Sequence, residues 1–282
     1  MTRPDKPDQD VLHKKRIAVL GAGKMGTILL QALLNQGLLL PEHARASVQH
    51  GERAQKLRKQ LHIAVCTDNV EAVRGADIVL VCVKPQTVRP VLEEIAPVLT
   101  TKQLLISIAA SVPTAYMEKS LPPGMPIIRA MPNTPCTVRT GMTAVCKGSH
   151  SDSHHLATAC LLFDAVGRTV VLDEKHMDAA TALSASGPAY IYIILESLAE
   201  AGVKVGLPRD TATLMAAQTT LGAAKVVLDT GDHPALLKDA VTTPAGCTID
   251  GILELEEGKL RVTLIKAVVK AASRAKELLF TE

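Results

Sequence analysis

Tryptophan is absent from the chain of 282 residues, and three tyrosines and two phenylalanines make up the whole aromatic content. That scarcity removes the stacking platforms by which proteins hold single-stranded nucleic acid. An excess of one charge is also lacking. The 31 basic and 28 acidic residues leave a formal net charge of +3, spread along the chain and not gathered in a patch, which is no footprint for a phosphate backbone. Nucleic acid is therefore not expected as a partner. No uninterrupted run of eighteen apolar residues occurs, so no membrane span is expected either. The first fifteen residues, MTRPDKPDQDVLHKK, carry no apolar core of a signal peptide and read as a disordered leader. The six cysteines form no CxxC pair and show no ligand-like spacing with the nine histidines. Neither a disulfide framework nor a metal centre is expected, and the cytoplasm is the default compartment.

What is present is apolar aliphatic material, within a hydrophobic fraction of 47%, and one stretch that organises it. Residues 17–30 read IAVLGAGKMGTILL: a short buried strand, Gly21-x-Gly23-x-x-Gly26, then a helical apolar run. This is the order of a dinucleotide-binding fingerprint. Gly21 permits the tight turn, Gly23 lets a pyrophosphate approach the backbone, and Gly26 lets the helix pack on the strand. The helix that starts near Lys24 and Met25 directs its unpaired N–H groups and positive end at the phosphates.

Strand and helix then alternate as far as Asp173, which predicts a doubly wound α/β domain over 16–173. The second strand, 44–49, ends without the Asp or Glu that would bind an adenosine 2′-hydroxyl. Gln49, His50 and Arg53 stand there instead, which favours NADPH with Arg53 on the 2′-phosphate and leaves NADH as the alternative. The run DIVLVCV, 77–83, is a central buried strand that delivers Lys84 and Pro85 to the edge where ligands bind. Ala109-Ala110-Ser111 gives the next exit small side chains, with room for a flat ring. The loop 131–135, MPNTP, is shaped by two prolines that admit neither helix nor ladder.

From 174 to 282 no strand is convincing. Residues 187–202 read as a helix apolar nearly all round, and hence buried on every side. A second, starting at Pro208, carries Ala212, Ala216, Thr219 and Ala223 at close-packing spacing. A third, 259–279, places Leu260, Leu264, Ala267, Ala271, Ala275 and Leu278 on one stripe. So much apolar helix predicts an obligate homodimer, with assembly of dimers into a larger oligomer left open.

Taken together, Gly21-Ala-Gly-Lys-Met-Gly26, Val83-Lys84-Pro85, Met131-Pro-Asn-Thr-Pro135, Leu183-Ser-Ala-Ser-Gly-Pro-Ala-Tyr190 and Thr243-Pro-Ala-Gly-Cys-Thr-Ile249 resemble the pyrroline-5-carboxylate reductases in order and spacing. The resemblance covers almost all of 17–279. It implies a Rossmann domain followed by an intertwined helical dimerisation domain, and NADPH- or NADH-dependent reduction of Δ1-pyrroline-5-carboxylate to L-proline, the last step of proline biosynthesis. It further implies cofactor contacts at Asn69, Val83, Lys84, Pro85 and Ala110. The catalytic hydroxyl it implies is that of Thr248, near the substrate nitrogen. The substrate carboxylate is held by N–H groups around Gly246, Cys247 and Thr248, and Glu174 falls near an acidic family position at the substrate. Ala185 and Ala245 replace family glycines, and Ala240 stands where an asparagine is common. These departures keep two other readings open: a reductase of a related cyclic imine, and a non-catalytic NAD(P)-binding regulatory protein.

Overall fold

The computed structural model describes residues 10–277. Eight strands form one sheet: β1 (Ile17–Leu20), β2 (Ala44–Ser47), β3 (Ala64–Cys66), β4 (Ile78–Val81), β5 (Leu104–Ser107), β6 (Ile127–Met131), β7 (Gly141–Lys147) and β8 (Gly167–Val171). Their order is β3-β2-β1-β4-β5-β6-β7-β8. The helices of this part are α1 (Asp10–His13), α2 (Lys24–Asn35), α3 (Gly51–Leu61), α4 (Asn69–Val73), α5 (Pro85–Ile95), α6 (Thr114–Glu118), α7 (Ser153–Asp164) and α8 (Met177–Ala180).

Alternation along the strands puts both faces of the sheet under cover. Ile17 and Val19 share a core with Leu29, Leu30 and Leu33 of α2, with Leu57 and Leu61 of α3 and with Leu162 of α7. Ala18 and Leu20 face the opposite way, into a core with Val73 of α4, Val88 and Leu92 of α5 and Met117 of α6. Strands buried on both sides are what a parallel sheet requires, and the first six are parallel. The order 3-2-1-4-5-6 reverses direction between β1 and β4, and ligands bind outside the carboxyl ends of the strands at such a point.

The alternation of strand and helix is not complete. β7 runs antiparallel to β6, because the proline-rich loop between them contributes only a short 3₁₀ turn, Thr134–Val138, too little for a crossover. Of the expected leader, 1–15, only the part from residue 10 is described, residues 1–9 lying outside the described residues. Leu12 in α1 is wholly buried in the sheet core, and the carbonyl of His13 accepts from His43 Nδ1 at 3.1 Å.

By compactness the chain divides into 186–270 and a sheet unit made of the residues up to Ala185 together with those from Ala271 onward. The segment 174–185 was expected with the helical domain, yet it contacts the sheet: Met177 packs with Met131, Ala144 and Cys146, and Asn133 Nδ2 donates to the Ser184 carbonyl at 3.1 Å. Helical content alone does not say which core a segment joins. Residues 181–185 form a turn of π-helix, a deviation found mostly at functional sites.

The second unit, 186–270, holds α9 (Gly187–Lys204), α10 (Arg209–Thr230), α11 (Pro234–Ala240), α12 (Cys247–Glu257) and most of α13 (Leu260–Glu277). α9 and α10 pack closely, since a Cβ on Gly202 would lie 2.8 Å from the Ala212 Cβ. Ala212 and Ala216 are buried, whereas Thr219 and Ala223 are exposed. On α13, Leu264, Ala267 and Ala271 are half-buried and Ala275 buried, but Val262, Ile265 and Val269 form an exposed apolar line; Leu278 lies outside the described residues. α9 is not buried on every side within one chain. Ile191, Tyr192, Ile193 and Leu198 are exposed, and among the described residues Val138 and Leu183 are the only large exposed hydrophobic residues outside 191–269. One helical stretch, Glu174–Lys204, also reaches the length and hydropathy of a membrane span. Counting only unbroken apolar residues overlooked it, because Ser, Gly and Thr interrupt the run without making it polar.

Candidate active site

The fingerprint turn is fixed by one acceptor. The Ser47 carbonyl, at the end of β2, takes the N–H groups of Gly21 and Ala22 at 3.1 and 2.9 Å. Gly21 has φ +73°, and a Cβ there would lie 2.6 Å from Val83 Cγ1 and 3.3 Å from the Val83 backbone. A Cβ on Gly26 would press on Val19 and Cys82 at 3.1 and 3.3 Å. A Cβ on Gly23, by contrast, would meet nothing nearer than the Gly21 carbonyl at 3.8 Å, so the middle glycine faces open space. The first amide bonded back along α2 is that of Thr27, to the Gly23 carbonyl at 3.1 Å. Lys24, Met25 and Gly26 precede it, and their N–H groups have no acceptor within the helix. An open approach lined by three such donors at a helix start fits a diphosphate.

Most of the expected cofactor residues gather around this turn. Asn69 Oδ1 accepts from Ser47 Oγ at 2.6 Å, and its amide donates to Glu94 at 2.8 Å. The Arg53 guanidinium reaches back to the Ala22 carbonyl, Nη2 at 3.0 Å and Nε at 3.2 Å, which leaves Nη1 for a phosphate. Gln49 and His50 are exposed between β2 and α3. Val83 lies against Gly21, Lys84 occupies the N-cap position of α5, and Pro85 follows at its first turn. Ala110 follows β5, two strands across, and packs beside Met131, Cys146 and Met177.

Glu174, expected at the substrate, has both carboxylate oxygens engaged within the chain. One carboxylate oxygen accepts from Thr114 N at 2.7 Å and the other from Thr114 Oγ1 at 2.6 Å, and Arg129 Nη1 stands 3.5 Å away. Sequence reasoning passed over Arg129, although an arginine inside the buried run Ile127-Ile128-Arg129-Ala130 demands an acidic partner. It also passed over Asn133, which bridges to Met142 N at 2.9 Å and to Ser184.

The 246–248 region belongs to the helical unit and is described by itself. Gly246 is the N-cap of α12, with Cys247 and Thr248 its first two residues. Thr248 is therefore inside the helix and is not its cap. The Gly246 N–H is already used, donating to the Thr243 carbonyl at 3.1 Å, so the donors at this helix start are those of Cys247, Thr248 and Ile249. The turn has Pro244 and Ala245 at its centre, with Ala245 at φ +56°, a conformation that favours glycine. Ala185 lies in the π-helical turn and is not among the residues with positive φ. Ala240 ends α11.

Cys66, Cys82, Cys136 and Cys146 are not activated thiolates, burial raising each thiol above its ordinary value and that of Cys146 to about 12.

Comparison with known proteins agrees with this arrangement. Residues 174–278 match the family described as pyrroline-5-carboxylate reductase dimerisation, and 16–111 match that described as NADP oxidoreductase, coenzyme F420-dependent. A pyrroline-5-carboxylate reductase of Methanosarcina acetivorans is 42% identical over 95% of this chain and 99% of its own. The chain belongs to the pyrroline-5-carboxylate reductase family. A soybean (Glycine max) member is 39% identical over 93% of this chain and 95% of its own. Among solved structures, the Coxiella burnetii reductase superposes with a TM-score of 0.88 at 36% identity, covering 94% of this chain and 98% of that one. The Plasmodium falciparum reductase, solved with NADP bound, gives 0.85 at 30% identity, with the same two coverages.

Two outcomes follow from the glycine and alanine positions. Gly21→Ala forces a Cβ into Val83 at a left-handed residue, at a cost of about 1–2 kcal/mol from backbone conformation alone. It is expected to weaken NADPH binding at least about tenfold in a fluorescence titration while far-ultraviolet circular dichroism is kept; wild-type affinity would contradict this. Ala245→Gly removes the same conformational cost and adds about 0.5–1 kcal/mol of chain entropy. A net gain of roughly 0.5–1 kcal/mol is expected in denaturant titration, and a net loss would show that the turn is not strained.

Proposed function

We propose that the protein reduces Δ1-pyrroline-5-carboxylate to L-proline with NADPH, as a homodimer. The observation that carries the proposal is identity of 42% over nearly the whole chain with a pyrroline-5-carboxylate reductase, in a chain whose fingerprint turn keeps an open, donor-lined approach.

The division of work follows the fold. Residues 16–173 serve as the cofactor domain and 174–282 as the dimerisation and substrate domain. Lys24, Met25 and Gly26 hold the diphosphate by backbone donors, with Gly21 shaping the turn, Gly23 keeping the approach open and Lys84 adding charge. Arg53, supported by Gln49 and His50, receives the adenosine 2′-phosphate through the Nη1 that its contact with Ala22 leaves over. Asn69, Val83, Pro85 and Ala110 line the path from adenosine to nicotinamide. When bound, the reduced nicotinamide supplies the hydride for the imine carbon. Cys247 and Thr248 offer the substrate carboxylate two N–H groups and the positive end of α12. The Thr248 hydroxyl orients the imine nitrogen and relays a proton to it from water, since its own acidity is far too weak to protonate the ring unaided.

The exposed apolar side chains of α9 to α13 are covered by a second copy and not by a bilayer. Glu196 and Glu200 interrupt the apolar stretch of α9, and a homodimer face of this size is the usual fate of such a patch. The cysteine usage, with no CxxC pair among six cysteines, supports a reducing compartment, the cytoplasm. The mixed surface charge supports the absence of a nucleic-acid role.

The test is loss of nicotinamide absorbance with purified protein, NADPH and pyrroline-5-carboxylate, compared with the six-membered cyclic imine. Turnover is expected with the five-membered ring in preference. Thr248→Ala should lower kcat about a hundredfold, the low side of general acid catalysis, and leave KM for NADPH within about twofold. An unchanged kcat would remove Thr248 from the mechanism, and NADPH binding without turnover would favour the regulatory reading.

A further inference from the structure

The turn after β5 is held in an unfavourable shape. Ser111, directly after Ala110, has φ +62°, a left-handed conformation that a serine adopts at a cost. Its side chain is almost fully buried, and its Oγ has no partner among the described residues, so no hydrogen bond of its own compensates the strain. Something else must hold the turn. Three residues on, Thr114 opens α6 behind Pro113, which occupies the N-cap position and offers no side-chain acceptor. Glu174 supplies the acceptors from a distant part of the chain, one carboxylate oxygen on Thr114 N and the other on Thr114 Oγ1. Hydrogen bonds to an ionised acceptor at 2.6–2.7 Å are of the strong kind.

Glu174 is itself held. Arg129, on β6, has a side chain only 3% exposed, with Nη1 3.5 Å from Glu174 and Nη2 3.5 Å from Asp178. A guanidinium so deeply placed and the carboxylate beside it depend on each other for compensation. The turn after β5, the strand β6 and the segment that follows β8 are thereby joined through one carboxylate.

We propose that Glu174 is a latch on the Ala110–Thr114 turn, and that Glu174 and Arg129 are positioning residues that keep Ala110 in place for the nicotinamide end of the cofactor. This rests on the reading of Ala110 as a cofactor contact. It accounts for an acidic residue close to the expected substrate position whose oxygens are nonetheless both engaged within the chain.

The test uses the full-length dimer, titrated with NADPH by fluorescence in the absence of imine, so that binding is read apart from turnover. Glu174→Ala is expected to weaken NADPH at least tenfold. Glu174→Gln keeps one acceptor for Thr114 N and should weaken it about threefold, while raising KM for NADPH and leaving KM for pyrroline-5-carboxylate within twofold. Adding Ser111→Gly to Glu174→Ala should recover at least threefold, because glycine adopts the turn without the latch. Glutamine and alanine variants that bind NADPH as the wild type does would overturn the proposal, as would a double variant no better than Glu174→Ala. Should Glu174→Ala fail to fold, Glu174→Gln decides by the same KM split. A wild-type dimer that gives no titration at all would instead remove the cofactor reading on which the latch depends.

Discussion

The carbonyl of Ser47 takes two consecutive N–H groups from the fingerprint turn, and the cofactor edge of the molecule depends on that contact. It fixes Gly21 in the left-handed region against Val83 and points the chain into α2 with its first three amides unspent. The same Ser47 donates its hydroxyl to Asn69, so the ends of β1 and β2 and the start of α4 are tied at a single residue. Neither side chain nor backbone of Ser47 is conspicuous in sequence. Its effect comes from the register of β1 with β2, which places Leu20 opposite Ser47 and carries the turn within reach.

A second constraint acts at the other end of the ligand edge. A charged residue inside a buried strand is costly unless compensated, and Arg129 is compensated by Glu174 and Asp178 from the segment leading out of the sheet unit. The helical unit faces the opposite problem. It buries little more than Ala199, Ala212 and Ala216 of its own and leaves Ile193, Leu214, Leu221, Leu253 and Ile265 in the open. A stable core of this kind is completed between chains, in keeping with a family named for its dimerisation.

The sheet was legible because local signals and global fold agreed. Buried strands read as unbroken Val, Ile and Leu, the glycine spacing marked the turn, and Asp68 and Asp152 stand as N-caps accepting from Glu71 N and His155 N. The sequence was less informative where a residue's partner is remote. Glu174 and Thr114 are 60 positions apart, and no spacing rule connects them. The Asn133 side chain, which joins the two proline- and serine-rich motifs, was hidden for the same reason. Ala245 is a different case: its replacement of glycine was visible, but only the backbone shows that the position retains the positive φ for which glycine is suited. The boundary at 173/174 coincides with the start of the dimerisation family match, whereas the contacts of 174–185 with the sheet depend on remote partners that no local pattern reveals.

The central claim is that the carboxyl edge at β1 and β4 holds the dinucleotide, and a crystal structure of the dimer with NADP⁺ tests it most directly. The account predicts diphosphate oxygens within hydrogen-bond distance of the N–H groups of Lys24 and Met25, with the nicotinamide ring against Ala110. A diphosphate found elsewhere would contradict it, for instance in the hollow of about 120 Å³ lined by Arg16, Arg45 and Arg74 at the opposite edge of the sheet.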